Sequence, residues 1–141
     1  MQQVDEGTEA RNKAAILASF QAWRDGTGRV FDLLAPDAKW TVAGTSPVSK
    51  TYHSRREFLD HVIDPFNARF AARVIPTVRG IYADGDMVIA LFDGEGTALD
   101  GRPYRNTYSW YMRMRDGMII DVVGLFDTIE YADLWTRITP A

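Results

Sequence analysis

Apolar residues recur every three or four positions through residues 8–25, which places Ile16, Leu17, Phe20 and Trp23 on one side of a helix. Gly26 stands where a C-terminal cap belongs, because glycine adopts the left-handed conformation that ends a helix without steric cost. Residues 1–8 precede this pattern and read as a flexible arm, and residues 9–141 as one domain. A short apolar piece over residues 30–34 stops at Ala35-Pro36, and Trp40 and Val42 then alternate with Lys39 and Thr41 as in a strand. Residues 44–53, rich in Gly, Ser, Pro and Thr, form a loop. Ser54-Arg-Arg-Glu57 is a capping box that opens a second helix. Its apolar stripe (Phe58, Leu59, Val62, Ile63, Phe66, Phe70) reaches about residue 72, and Pro65 inside it predicts a kink or break.

The second half has period two. Four alternating runs between Ile75 and Asp127 are joined at Asp84-Gly85, Asp100-Gly101 and Asp116-Gly117, and Asp-Gly in that setting signals a two-residue hairpin turn. Asp127-Thr-Ile-Glu130 is a second box-like cap and starts a closing helix to about Thr136. Helices first, an antiparallel meander next and a helix last make the fold class α+β.

Two-residue turns at all three sites set the register by counting. Glu95 then pairs with Asn106, Asp93 with Tyr108, Leu91 with Trp110 and Ile89 with Met112, while Tyr108 meets Leu125 and Trp110 meets Val123. One face holds Val78, Tyr82, Met87, Ile89, Leu91, Tyr108, Trp110, Met112, Met114, Ile119, Val123 and Leu125, and is expected to pack on the helices. The other holds Arg79, Arg105, Arg113 and Arg115 with Val88, Phe92, Ile120, Val122 and Phe126, and is expected to meet a second subunit. A single β-bulge would reverse half of this assignment. One end of the apolar face gathers Asp93, Glu95, Asn106, Tyr108 and Asp127, giving an aromatic pocket a polar end, as small-ligand sites have.

Composition narrows the chemistry. With 46% hydrophobic and 25% charged residues over 141, the chain suits an ordered globular domain. Its net charge of −3 argues against a nucleic-acid partner. The absence of cysteine excludes disulfides and thiolate chemistry, and His53 and His61 are too few for a three-histidine metal site. With no Gly-rich phosphate loop either, neither metal nor cofactor is expected. No apolar run has the length of a membrane span and the first residues lack a signal-peptide core, so the expectation is a soluble cytoplasmic protein.

Phe20 and Trp23 on a first helix, the strand Ala38-Lys-Trp-Thr-Val42 and a helix ending Asp64-Pro-Phe-Asn-Ala-Arg69 occur here in one order. They are followed by Gly101-Arg-Pro-Tyr-Arg-Asn-Thr-Tyr-Ser-Trp-Tyr-Met-Arg-Met-Arg-Asp-Gly-Met-Ile119 and by Leu125-Phe-Asp-Thr128. Over roughly residues 9 to 136 this order resembles the SnoaL-like, ketosteroid-isomerase-related branch of the nuclear-transport-factor-2-like superfamily. The resemblance implies a cone: a curved sheet wrapped over helices around a deep apolar pocket, commonly as a homodimer. Ketosteroid isomerases use an Asp base with a Tyr and a protonated Asp. Laid over that pattern, the Tyr falls at Phe20, the base near Val42 and the protonated Asp near Trp110, and all three positions are apolar here.

The expected ligand is a small hydrophobic carbonyl or polycyclic compound, and two readings of the pocket stay open. In the first, cofactor-free acid/base chemistry of the isomerase, cyclase or dehydratase kind uses Asp127, Asp93 or His53 as proton carrier. Asn106 and Tyr108 then polarise a carbonyl, and Phe20, Trp40, Phe66 and Trp110 form the walls. In the second, the pocket is a vestige in a binding or dimerising module. Each candidate has a plainer role beside the functional one. Asp127 caps the last helix, Asp93 with Glu95 is a solvated strand end, His53 is a surface histidine, Asn106 and Tyr108 satisfy each other, and the aromatics are core.

Overall fold

The computed structural model describes residues 6–140. α1 (Glu6–Asp25) is followed by a single 3-10 turn (Val30–Leu33), β1 (Leu34–Val42) and β2 (Thr51–Tyr52). Next come α2 (Arg55–Phe58), a π-helical turn (Leu59–Ile63) and α3 (Asp64–Asn67). The long strands β3 (Phe70–Asp84), β4 (Met87–Ala98), β5 (Pro103–Arg115) and β6 (Met118–Phe126) precede α4 (Thr128–Arg137). Of the expected arm, residues 1–5 lie outside the described residues and residues 6–8 form the first turn of α1. No described helix is long and apolar enough to cross a membrane.

The helix ends follow the capping chemistry of the sequence. Gly26 has φ +78. Its N–H reaches the Trp23 carbonyl at 3.1 Å while that of Thr27 reaches Ala22 at 2.8 Å, the paired bonds of a Schellman cap. Ser54 Oγ accepts from the Glu57 N–H at 3.0 Å, and the Glu57 carboxylate reaches back to the His53 N–H at 3.4 Å. Pro65 neither breaks nor ends its helix. The Asp64 N–H bonds the Leu59 carbonyl, and that one widened turn carries the proline.

The six strands form one curved, open sheet in the order β2-β1-β6-β5-β4-β3, antiparallel except where β1 runs parallel to β6. The α+β cone expected from the sequence is the fold observed. The register differs from the counted one. Between β4 and β5 the turn has three residues: the Ala98 N–H bonds the Arg102 carbonyl, the Gly101 N–H bonds Ala98, and Gly101 takes φ +85. Tyr108 therefore faces Phe92 rather than Asp93, and Trp110 faces Ala90 rather than Leu91. Asp116-Gly117 is the expected two-residue turn with both φ positive, but a bulge at Ile120, opposite the Arg113–Met114 step, then moves Trp110 opposite Gly124 and Tyr108 opposite Phe126. A one-residue slip exchanges the faces. Val88, Phe92, Val122 and Phe126 accordingly point inward, whereas Tyr82, Ile89, Leu91, Val123 and Leu125 point outward, the reverse of the counted assignment. The inward assignment holds for Tyr108, Trp110, Met112, Met114 and Ile119.

Two buried polar clusters tie the sheet to α4. Arg69, at the end of the second helical stretch, donates to the carbonyls of Pro65 (2.7 Å), Ile138 (3.1 Å) and Trp135 (3.3 Å), and its guanidinium lies 3.8 Å from the Trp135 ring centroid. Burial lowers its pKa. In the second cluster Asn106 Nδ2 donates to the Tyr104 hydroxyl at 2.7 Å and to the Asp127 carbonyl at 3.0 Å, and the Tyr104 and Tyr108 hydroxyls are 2.6 Å apart. Tyr131 of α4 stacks on Phe66 at 5.2 Å, and its hydroxyl is buried without a partner among the described residues. Burial raises the pKa of all three phenols: Tyr104 to about 12, with Tyr108 and Tyr131 also raised.

Three outcomes are expected. Arg69→Leu leaves three carbonyls without their donor and should cost about 2–4 kcal/mol in urea denaturation, with α4 amides showing the largest gain in hydrogen exchange. Tyr104→Phe, which strands Asn106 and Tyr108, should cost about 1–3 kcal/mol, whereas Tyr131→Phe removes an unpartnered hydroxyl and should be neutral or stabilising by up to about 1 kcal/mol. The third concerns pH. Above pH 10 the unfolded chain releases phenolic protons that the folded chain keeps, so stability falls as pH rises from 10 toward 12. The slope is up to about 4 kcal/mol per pH unit for three such groups. Phenolate absorbance at 295 nm in native and urea-unfolded protein measures the difference directly.

Candidate functional site

Between the helices and the inner face of the sheet lies a cavity of about 370 Å³. That is within the range of small-molecule sites, about 300–1,000 Å³. The aromatic and aliphatic part of its wall comes from six places in the chain. α1 supplies Trp23, the 3-10 turn Phe31, and β1 Trp40 and Val42. The second helical stretch supplies Phe58, Val62, Ile63 and Phe66, whose spacing of three and four puts them on one side. β5 supplies Tyr108 and Trp110, and the chain end Phe126 and Tyr131. The rings are ordered among themselves. Trp40 stacks on Phe58 at 4.3 Å and 11°, Trp110 meets Trp40 edge-on at 5.0 Å, and Trp23 lies parallel to Trp110 at 6.2 Å and 6°.

Gly124 makes this arrangement possible. A Cβ there would stand 3.2 Å from Trp40 Nε1 and 3.4 Å from Trp110 Nε1, so both indoles lie over a residue with no side chain. The two indole N–H groups have no partner among the described residues. Tyr108 adds a further polar group. Tyr104 accepts from Asn106, and one hydroxyl proton lies between the Tyr104 and Tyr108 oxygens, with either residue able to donate it. With their pKa values raised, both phenols act as neutral donors at physiological pH rather than as bases.

Four of the residues proposed from sequence, Trp40, Phe66, Tyr108 and Trp110, are on this wall. Phe20 is not: it sits behind the wall, 4.8 Å from Phe92 and 6.0 Å from Trp110. Asn106 is buried and fully engaged, its Oδ1 accepting from the Asp127 N–H at 2.9 Å and the Thr107 N–H at 2.8 Å. The one-residue slip sets the expected polar end apart from the cavity, leaving only Tyr108 on its wall. Asp93 and Glu95 project from the outer face, where Asp93 accepts from Thr107 Oγ1 at 2.7 Å and lies 3.5 Å from Arg79, and Glu95 lies 3.8 Å from Arg105. Asp127 caps α4, accepting from the Ile129 and Glu130 N–H groups. These acids and Asn106 border a separate hollow of about 210 Å³ at the sheet rim. His53 is exposed ahead of α2 and touches neither hollow. None of Asp127, Asp93 and His53 therefore reaches the cavity, because pairing parity, helix capping and loop position each turn them away.

The wall residues absent from the sequence proposals are of two kinds. Trp23, Phe58 and Val62 were visible in the helical stripes, where core and cavity wall share one periodicity. Arg29 and Arg73 carry no sequence signal, since an α1-to-β1 turn and the start of β3 meet only in the folded chain. No group of three or more His, Asp or Glu side chains able to hold a metal ion occurs among the described residues.

Solved structures of the same fold are numerous, and three illustrate the likeness. An NTF2-like protein of unknown function from Burkholderia pseudomallei is 23% identical, with a TM-score of 0.74 over 89% of this chain and 98% of that one. TerC, co-crystallised with polyporic acid, is 25% identical with a TM-score of 0.67 over 89% and 98%. IdmH from Streptomyces antibioticus, provisionally named a polyketide cyclase, is 24% identical with a TM-score of 0.68 over the same shares, 89% and 98%. No curated protein is similar enough to count as a relative. The model of the SnoaL-like domain matches residues 16–122, and with most of its length so matched the chain belongs to the SnoaL-like family.

Proposed function

We propose that this protein binds a small, flat hydrophobic compound of the aromatic or polycyclic kind inside the cone. The observation that carries the reading is the 370 Å³ cavity walled by stacked and edge-on rings, with no carboxylate or imidazole on its wall among the described residues. Rings at fixed spacing favour a planar guest. The indole N–H groups of Trp40 and Trp110 offer hydrogen bonds to a carbonyl oxygen. TerC, of the same fold and co-crystallised with polyporic acid, supports a small-molecule occupant. In the catalytic variant of this reading, Tyr108 polarises a bound carbonyl without a cofactor. Binding leads because the wall holds no ready proton carrier.

A second copy of the chain is the proposed partner of the outer face. Tyr82, Ile89, Tyr111 and Val123 stand opposite one another across four strands, and Leu91 and Leu125 belong to the next row. Tyr82, Val123 and Leu125 are 55%, 40% and 43% exposed, a band that a sheet-to-sheet dimer would cover. Arg79, Arg105 and Arg113 on the same face pair with Asp93, Glu95 and Asp86.

A thermal-shift screen with steroids, aromatic polyketides and terpenes tests the cavity. A ligand at one hundred times its Kd should stabilise by about 2.7 kcal/mol and raise the melting temperature by several degrees. Val62→Phe, which fills the cavity, should fold and lose that shift. A panel without hits, or a shift that survives the filled cavity, overturns the reading. For the partner, sedimentation should give a dimer that Val123→Lys with Leu125→Lys converts to monomer, and a monomeric wild type removes the proposal.

A further inference from the structure

Among the described residues two charged side chains, Arg29 and Arg73, line the cavity, and no acid does. Both stand at its open side, Arg73 exposed and Arg29 half-buried. Arg73 donates through Nη1 to the Trp23 carbonyl (2.7 Å) and through Nη2 to Arg24 (3.0 Å). This leaves donors unused, and no carboxylate among the described residues stands against the charge. Arg29 has Asp32 at 3.7 Å, but Arg55 approaches the same carboxylate at 3.9 Å, so one acid faces two guanidinium groups. The mouth is therefore positive on balance in a chain whose net charge is −3. Gly26 and Gly28 line the cavity as well. A Cβ on Gly26 would lie 3.2 Å from Arg73 Nη2, and one on Gly28 would lie 3.4 Å from Asp32 Oδ2. Behind the mouth the wall is aromatic, with Trp23 parallel to Trp110 and Trp40 parallel to Phe58.

An apolar chamber with a net positive rim discriminates by charge. The low-dielectric wall strengthens the field of the rim, while the rings supply affinity for a flat body. Arginine also presents a planar fork suited to carboxylate oxygens. We infer that the cavity takes a planar aromatic acid, its ring system among the tryptophans and its anionic group against Arg73 and Arg29. This specifies the ligand class of the site proposed above and rests on that reading.

The test compares 2-naphthoic acid with its neutral isostere 2-naphthamide at pH 7, by quenching of tryptophan fluorescence and by calorimetry. The acid should bind at least about fivefold more tightly, a modest ratio because the mouth is open to solvent. The ratio should shrink in 0.5 M salt, by about the screening expected at an exposed site. Arg29→Gln with Arg73→Gln should bring it close to one, and glutamine keeps a donor for the α1 carbonyls. Arg73→Lys should retain part of the preference. Equal binding of acid and amide by the wild type overturns the charge inference while the cavity reading stands. Binding of neither overturns both. A preference that persists in the folded double variant, checked by circular dichroism, overturns the assignment to these arginines. Because the wild-type ratio and its salt dependence need no variant, a misfolded double variant leaves the inference decidable.

Discussion

β4 and β5 reverse over Leu99-Asp100-Gly101, and the odd length of that reversal sets the parity of the sheet. Side chains alternate along a strand, so one residue more in the turn sends Val88, Ala90 and Phe92 inward beside Tyr108 and Trp110. Large rings from neighbouring strands then face the same side, and small residues must lie under them. Gly124 lies beneath the two indoles, and a Cβ on Gly94 would stand 3.1 Å from Tyr108 Cε1. The aromatic wall and the glycines that make room for it are consequences of one register.

That register also sorts charge. Asp93 and Glu95 are carried to the outer face and pair there with arginines, while the inner face keeps only neutral polar groups, Asn106 and the phenols. Burial favours the uncharged form of a phenol, so the interior offers donors and no anion. Positive charge reaches the cavity only at its mouth, where solvent can stabilise it.

Phe20, Val42 and Trp110, at or near which the resemblance to ketosteroid isomerases puts the proton machinery, are apolar, and Val42 and Trp110 are on the cavity wall. Chamber and chemistry are thus separable in this architecture. The sheet and helices enclose a volume whatever the lining, and the lining determines whether the enclosed molecule is held or also transformed. Here α4 completes the enclosure. Its Asp127 cap is fixed by Asn106, its Tyr131 stacks on Phe66, and the far end is held by Arg69.

Much of this was legible in the order of residues. The α+β class, the Gly26 and Ser54 caps, the Asp127 cap of α4 and the inward alternation of β5 all rest on local geometry, which a few neighbouring residues determine. Trp40, Phe66, Tyr108 and Trp110 were recognisable as wall candidates for the same reason. The site as a whole was not. Asp-Gly at residues 100 and 101 fits a two-residue turn and a three-residue turn equally, and the bulge in β6 has no sequence mark. Two such single-residue choices exchange the faces of β4 and of most of β6, which is why Asp93 was assigned to the pocket and Phe126 to the surface. Arg29 and Arg73 meet only when α1 packs across β3. What the sequence determined is what adjacent residues determine together. Pairing parity and the meeting of distant side chains were decided by packing, because only in the folded chain does one alternative bury its rings and the other its carboxylates.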